Sequence, residues 1–502
     1  MKIHAYLLSL SFLICFYSCS KNEIIELPIT TSSPDALAYY KKAMLSYQVG
    51  DAPETRMFLD SALAVDSTFA MALELYDSPD PLVKKKHREL AKKHVQESTP
   101  AEKQMLEIRE SYRTGDMDRA LKGAQWLVEN HPNAFDSYVW LGQVLSDRYE
   151  IEEAIKVLKK AISLNPDSYR AYSLLMGHHI AAGTQAMLPI EKRNVKVGME
   201  YGDELIRIRG DHGLPYHLKA NCYRQQGLFE KAKPLYEKSI EKRKGLSSEA
   251  TAYVVSAHNY MFSGNLEVAR QRYNSAIKLV EEDPNIWFIL NNYLTFSYMF
   301  DNDYIGAIEN ISMVESQLDN RNFDDITLLQ RKGQSSWQKM ICYAHNQMEE
   351  EAFLSLKKRI DYNKKRSDLL GDENISRNVK TDALFQTAWV NILFGKYDRA
   401  KNNLEKLKNI QEKRNDPTAM YGYHGLSGMA HLMEGNHELA LDNFSNGNAN
   451  AIYFNYFKGL ALKAAGKDKE ATKVFNDIAT INFSNWNIAI VRRLANKQLG
   501  NT

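Results

Sequence analysis

The stretch Gly115-Asp116-Met117-Asp118-Arg119-Ala120 carries a spacing that recurs along the chain: a glycine, a polar residue after it, and an alanine five residues after the glycine. Six stretches keep both small residues, and three keep the alanine while another residue replaces the glycine. The six glycines are Gly115, Gly227, Gly264, Gly395, Gly435 and Gly466, and the three replacements are Tyr149, Asn302 and Gln347. Chance composition does not produce so many copies, so the sequence is an array of internal repeats.

Each copy has the features of a tight turn between two helices. Glycine adopts a positive φ without steric cost at the C-terminal end of a helix, and a second helix begins directly after the polar residues. The alanine lets the two antiparallel helices approach closely, because a larger side chain would push them apart. The sequence therefore predicts an all-α fold built from helical hairpins.

One regular unit runs from Phe135 to Ser168 and is 34 residues long. Apolar residues recur at helical spacing before its turn, as at Leu141 and Leu145, and again after it, as at Leu158. Asn165-Pro166 then ends the second helix.

This unit resembles a tetratricopeptide repeat, and the resemblance extends from about Asp35 to Trp486. It implies a superhelical solenoid of helical hairpins, with the first helix of each hairpin lining a concave surface. It also implies a protein that binds a protein or peptide partner and catalyses no reaction.

The sequence divides into six segments. They are a signal peptide (1–18), a flexible tether (19–34), a first tetratricopeptide-like array (35–362), a polar joint (363–381), a second array (382–486) and a capping helix (487–502).

The N-terminal segment has the features of an export signal. The apolar run Ala5 to Phe16 spans roughly 18 Å as a helix, which is too short to cross a bilayer core of about 30 Å. Ser18-Cys19 closes the run and resembles a lipobox, which implies that Cys19 is lipidated and becomes the new N-terminus. Ser20 favours the outer membrane, on its periplasmic or its surface face. The alternative is an ordinary cleaved signal with an incidental cysteine.

Composition excludes other classes of function. The net charge is +2, from 64 basic and 62 acidic residues, so no electrostatic argument supports binding to nucleic acid. Beyond the N-terminal segment, Cys222 and Cys342 are 120 residues apart and form no disulfide framework. We expect both to be buried as free thiols on the inner face of the array.

Three short patterns have the residue types of chemical sites without the required spacing. Asp301–Gly306 begins like a calcium loop, but Ile305 stands where a ligand is needed. Gly425-Leu426-Ser427-Gly428 lacks the final glycine of a nucleophile elbow and lies within a predicted helix. The histidine pairs at 178/179 and at 424/431 lack the i, i+4 spacing of a tight metal site. We therefore predict no enzyme activity, no metal and no cofactor.

The leading functional hypothesis is a membrane-tethered scaffold that binds a protein or peptide in the cell envelope. The alternative is a SusD-type glycan-binding lipoprotein of the outer membrane, which also carries tetratricopeptide-like helices. Such proteins interrupt their repeats with large insertions that this sequence lacks. Its 28 tyrosines could stack on sugars, but most occupy packing positions of the repeats.

The partner-binding groove is predicted from a change in polarity along the first helices. Polar residues such as Gln143 and Asp147 occupy the concave positions early in the array, and apolar residues occupy them later. The predicted groove residues are His258, Met261, Phe262, Phe296, Met299, Phe300, Trp389 and Met429. Methionine and phenylalanine in an open groove suit an apolar or amphipathic segment. The alternative is that these side chains pack against each other as core.

Overall fold

A computed structural model describes residues 24–180 and 187–500, and within these residues the chain forms 25 α-helices and no β-strand. The helices are α1 (Pro34–Gln48), α2 (Ala52–Val65), α3 (Ala70–Leu75), α4 (Pro81–His94), α5 (Pro100–Thr114), α6 (Met117–Asn130), α7 (Phe135–Asp147), α8 (Ile151–Leu164), α9 (Tyr169–His179), α10 (Val195–Arg209), α11 (Leu214–Gln225), α12 (Phe229–Arg243), α13 (Glu249–Phe262), α14 (Leu266–Lys278), α15 (Pro284–Phe300), α16 (Tyr304–Gln317), α17 (Asp325–His345), α18 (Glu349–Leu370), α19 (Glu373–Leu393), α20 (Tyr397–Gln411), α21 (Tyr421–Met433), α22 (His437–Ser445), α23 (Ile452–Ala464), α24 (Asp468–Ala479) and α25 (Trp486–Gln498).

The predicted turns are present at all nine repeat positions. The six glycines adopt left-handed φ angles between 69° and 89°. Tyr149, Asn302 and Gln347 adopt φ angles of 63°, 61° and 59°, so the turn geometry persists where glycine is absent. The nine alanines are buried at the helix crossings, as the close-approach argument requires: Ala120, Ala154, Ala232, Ala269, Ala307, Ala352, Ala400, Ala440 and Ala471.

Each odd-numbered helix pairs with the even-numbered helix that follows it, and α25 packs against the last hairpin. Odd-numbered helices of successive hairpins also contact each other, as α11, α13 and α15 do. The odd-numbered helices therefore form the inner layer of a solenoid. None of the described helices combines the length and the apolar character that crossing a bilayer requires.

The described part of the predicted tether is packed rather than free. Leu27 is 3% exposed, and its backbone N–H donates to the carboxylate of Asp136 on α7 at 3.0 Å. The backbone N–H of Thr30 donates to Glu102 on α5 at 2.8 Å. The first repeats thus bury the Leu27 side chain and provide acceptors for the backbone N–H groups of Leu27 and Thr30. Residues 1–23 lie outside the described residues, and the predicted lipidation site Cys19 lies among them.

The predicted polar joint at residues 363–381 is helical except for a short turn. It comprises the end of α18 and the start of α19, and the chain reverses at Gly371, where φ is 59°. α17, α18 and α19 have 21, 22 and 21 residues, whereas the helices of the regular unit at α7 and α8 have 13 and 14. The polar residues belong to the extra length of these helices, whose ends contact the first half of the chain through Lys85 and Arg377.

Cys222 and Cys342 are fully buried free thiols, as the sequence predicts. They lie on α11 and α17, three hairpins apart in the array. Burial raises the pKa of each thiol to about 12, which makes both poor nucleophiles at neutral pH.

Replacing Gln347 by glycine should stabilise the protein. Gln347 is exposed and holds a left-handed φ of 59°, so the substitution relieves backbone strain without removing a packed side chain. We expect a gain of about 0.5–1 kcal/mol in the free energy of unfolding, after the larger entropy of glycine in the unfolded chain is subtracted. Chemical denaturation measures the change.

The neighbouring variant Asn346→Gly is the matched control, because Asn346 has a φ of −93° that any residue adopts. It should lose stability. A stabilising effect from both glycine variants, or from neither, would contradict the assigned turn geometry.

Candidate partner-binding surface

The predicted groove residues do not line an open groove. Six of the eight side chains are 5% exposed or less, and the other two are partly buried and pack against the core. The six are His258, Met261, Phe262, Met299, Trp389 and Met429, and the two are Phe296 and Phe300. The alternative interpretation is therefore the one that the structure supports, since these side chains pack as core.

The C-terminal helix α25 covers part of this apolar region. Ile488 on α25 is 1% exposed and belongs to the same apolar cluster as Met261 and Phe262. The guanidinium of Arg492 lies 5.5 Å from the ring centre of Phe262 and 5.3 Å from that of Phe300. A helix predicted to cap only the end of the array thus also packs on α15, deep inside it.

Two of the buried side chains show how closed this region is. The indole N–H of Trp389 donates to the Tyr453 hydroxyl at 3.1 Å, and its ring centre lies 6.3 Å from that of Trp486 on α25. Burial, with Arg224 nearby, holds the pKa of His258 well below its usual range. His258 is therefore a neutral core residue, packed against Tyr293 with ring centres 5.0 Å apart.

Hydrogen bonds centred on Asn482 join the loop before α25 to the end of α11. The side chains of Arg224 and Gln225 both donate to the backbone carbonyl of Asn482 at 2.9 Å. The Asn482 side-chain amide donates back to the Arg224 carbonyl at 2.9 Å, and its backbone N–H donates to Gln225 at 3.1 Å. Arg492 donates to the remaining Asn482 oxygen at 3.0 Å. Residues more than 250 positions apart are thus fixed together.

Arg224 is buried without a carboxylate partner among the described residues. It is 1% exposed, and its guanidinium lies about 6 Å from the rings of Tyr236 and Phe262. A buried cation is costly unless its donors are satisfied, and here backbone carbonyls at Asn482 and Val255 accept them. These carbonyls therefore offset part of the cost of burying the Arg224 charge.

Further contacts join the second half of the chain to the first. The Asn448 side chain donates to the Tyr149 hydroxyl at 3.3 Å, and the Tyr149 ring centre lies 6.0 Å from that of Tyr421. Arg377 on α19 donates to the carbonyl of Thr114, at the end of α5, at 3.3 Å. The C-terminal hairpins thus contact the turns that join α5 to α6 and α7 to α8.

A polar and aromatic surface on α5, α7 and α9 has side chains that remain accessible. Asp147 accepts hydrogen bonds from Tyr112 at 2.8 Å and from Gln143 at 2.7 Å, and Gln143 accepts one from Arg170. Asp147 and Arg170 are exposed, and Tyr112 and Gln143 are partly exposed. Burial, followed by the charge of Asp147, raises the pKa of Tyr112. These side chains form a continuous ladder across three inner helices.

An aromatic contact extends this ladder. The guanidinium of Arg109 lies 5.5 Å from the ring centre of Trp140, and both side chains are partly exposed. We call the six residues the inner surface: Arg109, Tyr112, Trp140, Gln143, Asp147 and Arg170. The sequence singled out Gln143 and Asp147 as polar concave positions but gave no signal that this end, rather than the apolar end, stays open.

The short motifs with chemical residue types have structural roles. Asp301 pairs with Arg270 at 3.0 Å, and Asp303 caps α16 by accepting from the backbone N–H of Gly306 at 2.8 Å. Ser427 is buried within α21. Among residues 24–180 and 187–500, no group of three His, Cys, Asp or Glu side chains has the arrangement of a metal site.

The closing role of Asn482 predicts a specific loss on substitution. Asn482→Ala removes the side-chain bonds to the Arg224 carbonyl and to Arg492, and each buried group left unpaired costs about 1–3 kcal/mol. We expect lower thermal stability and faster proteolysis between α24 and α25.

Asn496→Ala is the control, because Asn496 lies on α25 and its side chain, within the described residues, bonds only to the Arg492 carbonyl one turn earlier. Equal effects of the two alanine variants would show that the contact with α11 does not hold the loop.

Comparisons with known proteins follow the repeat boundaries. One tetratricopeptide-repeat family model matches residues 135–168 and 215–241, and a second matches residues 382–410. The first match coincides with the 34-residue unit identified in the sequence. No curated protein matches the chain.

Solved structures of repeat proteins are also similar to the chain. The crystal structure of MamA protein is 21% identical over 36% of this chain and 92% of its own, with a TM-score of 0.29. A tetratricopeptide repeat protein from Parabacteroides merdae is 14% identical over 55% of this chain and 98% of its own, with a TM-score of 0.35. The APC/C hetero-tetramer Cut9-Hcn1 is 13% identical over 79% of this chain and 76% of its own, with a TM-score of 0.33.

The chain therefore contains tetratricopeptide repeats, and its described residues form a tetratricopeptide-like solenoid of helical hairpins.

Proposed function

We propose that the protein is a non-catalytic scaffold, tethered to the outer membrane by a lipid on Cys19, that binds a protein or peptide partner in the cell envelope. Repeats of this kind act through extended concave surfaces rather than through a pocket with reactive groups. The observation that carries the proposal is the inner surface on α5, α7 and α9, where side chains of three successive repeats remain accessible.

The chemistry of the inner surface suits an amphipathic segment. Tyrosine, tryptophan and arginine are the residue types that dominate binding energy at protein interfaces. Trp140 offers a partly exposed aromatic ring beside Arg109, and neither Arg109 nor Arg170 has an ion pair among the described residues, so both can pair with acidic groups. Of the apolar or amphipathic segment expected from the sequence, the purely apolar kind is not favoured, because the residues that would bind it are buried.

Reversing the charge of Arg170 should weaken binding without unfolding the protein. Arg170 is exposed, and its side-chain hydrogen bond within the described residues is to Gln143, so Arg170→Glu leaves the core intact and presents an acidic partner with repulsion. We expect at least about tenfold weaker binding, equivalent to about 1.4 kcal/mol. The measurement is a pull-down from detergent-solubilised envelope with the mature body as bait, followed by titration of the captured protein.

Lys160→Glu is the matched control, since Lys160 is exposed on α8, an outer helix, and the charge reversal is the same. Identical capture by the two variants would rule out the inner surface as the binding site.

Lipid anchoring at Cys19 is tested separately from partner binding. The sequence Ser18-Cys19 at the end of an apolar run supports lipidation of Cys19, and each buried methylene of an acyl chain contributes about 0.8 kcal/mol to membrane binding. Cys19→Ala should therefore move the protein from washed membranes to the soluble envelope fraction.

Cys15→Ala removes a cysteine from the apolar run itself and should leave the protein in the membrane fraction. A Cys19→Ala protein that stays in washed membranes would contradict lipid anchoring at this residue.

A further inference from the structure

The three longest of the described helices border an open pocket outside the inner surface. α17, α18 and α19 exceed the helices of the regular unit in length, and a cavity of about 490 Å³ opens between them. This volume lies within the range of pockets that hold small molecules. The lining residues are Gln330, Gln334, Trp337, Arg359, Asn363, Arg366, Ile375, Asn378, Val379 and Asp382.

The pocket contains one uncompensated positive charge. Arg359 is neutralised by Asp382, with nitrogen–oxygen distances of 2.7 and 3.1 Å. Arg366 is partly buried and has neither an ion pair nor a side-chain hydrogen bond within the described residues, and its Nε is shielded from solvent. A half-buried guanidinium without a counter-ion favours an anionic group on whatever occupies the pocket.

Four carboxamide side chains in the pocket also have no hydrogen-bond partner within the described protein. Gln330 and Asn378 are exposed at the mouth, and Gln334 and Asn363 are partly buried below them. Each amide offers two N–H donors and one carbonyl acceptor. A ligand that replaces the water around these amides is best matched if it donates as well as accepts hydrogen bonds.

This donor and acceptor set selects among anionic ligands. A simple carboxylate only accepts hydrogen bonds at neutral pH and offers no donor to the amide oxygens. Hydroxyl groups donate and accept together. Ile375, Val379 and the partly exposed Trp337 add an apolar side, against which the C–H face of a sugar ring can pack.

We propose that this pocket binds an acidic saccharide, with the sugar carboxylate on Arg366 and its hydroxyl groups on the four carboxamides. The site is separate from the inner surface and does not depend on the scaffold function. It also gives the glycan-binding alternative a specific location, formed by helix extension rather than by a large insertion.

The experiment titrates the mature chain with glucuronic acid, galacturonic acid, methyl glucoside and acetate by calorimetry. At least one uronic acid should bind at least tenfold more tightly than methyl glucoside, which lacks the charge, and than acetate, which lacks the hydroxyl groups. Absence of binding by both uronic acids, or equal binding of acetate, would overturn the proposal.

Variants assign the binding to this pocket. Arg366→Gln should abolish the preference for uronic acid over methyl glucoside, and Lys365→Gln, an exposed neighbour with the same change of charge, should retain it. Asn378→Ala, at the exposed mouth, should weaken uronic acid binding without affecting thermal stability. Unchanged uronic acid affinity in both Arg366→Gln and Asn378→Ala would place the ligand elsewhere.

Discussion

The closed form of the solenoid depends on the hydrogen bonds that join Asn482 to the end of α11. They hold the loop before α25 against a buried arginine, and α25 then lies on α15. Because Arg224 is buried and charged, the carbonyls that accept from its guanidinium offset part of the cost of its burial. The loop and the apolar contacts of α25 together bring the C-terminal helix onto α15, while side chains on α5, α7 and α9 remain accessible.

Because α25 packs on α15, apolar residues of the inner helices belong to the core and do not line a groove. An exposed row of methionine and phenylalanine would be a large apolar patch, which soluble proteins rarely leave uncovered. α25 covers that row from inside the superhelix, and Arg492 lays its guanidinium over Phe262 and Phe300. The array thus uses its own last helix where an open solenoid would use a partner.

Two kinds of accessible surface remain, and they differ chemically. The inner surface is a hydrogen-bonded ladder on regular repeats, extended and shallow, which suits a peptide or protein segment. The pocket at α17, α18 and α19 is concave and has an unpaired guanidinium beside unpaired amides, which suits a small ligand. The first arises from stacking repeats of ordinary length, and the second from three helices that exceed that length.

The sequence by itself determined the local structure. A glycine and an alanine five residues apart fix a left-handed turn and a close helix crossing, because both depend on the side chains at those positions and on nothing distant. The alanine at the same spacing identified the turns at Tyr149, Asn302 and Gln347, where glycine is absent. Position on the first helix of a hairpin likewise predicted the burial of Cys222 and Cys342. Only the tertiary structure decided whether Phe262 and Met299 line a groove or belong to the core. Helical periodicity identifies an apolar face but not what covers it, and here the cover lies roughly 200 residues further along the chain. The packing of Leu27 against α7 and the pocket around Arg366 have the same origin, since each brings together residues that no local pattern connects.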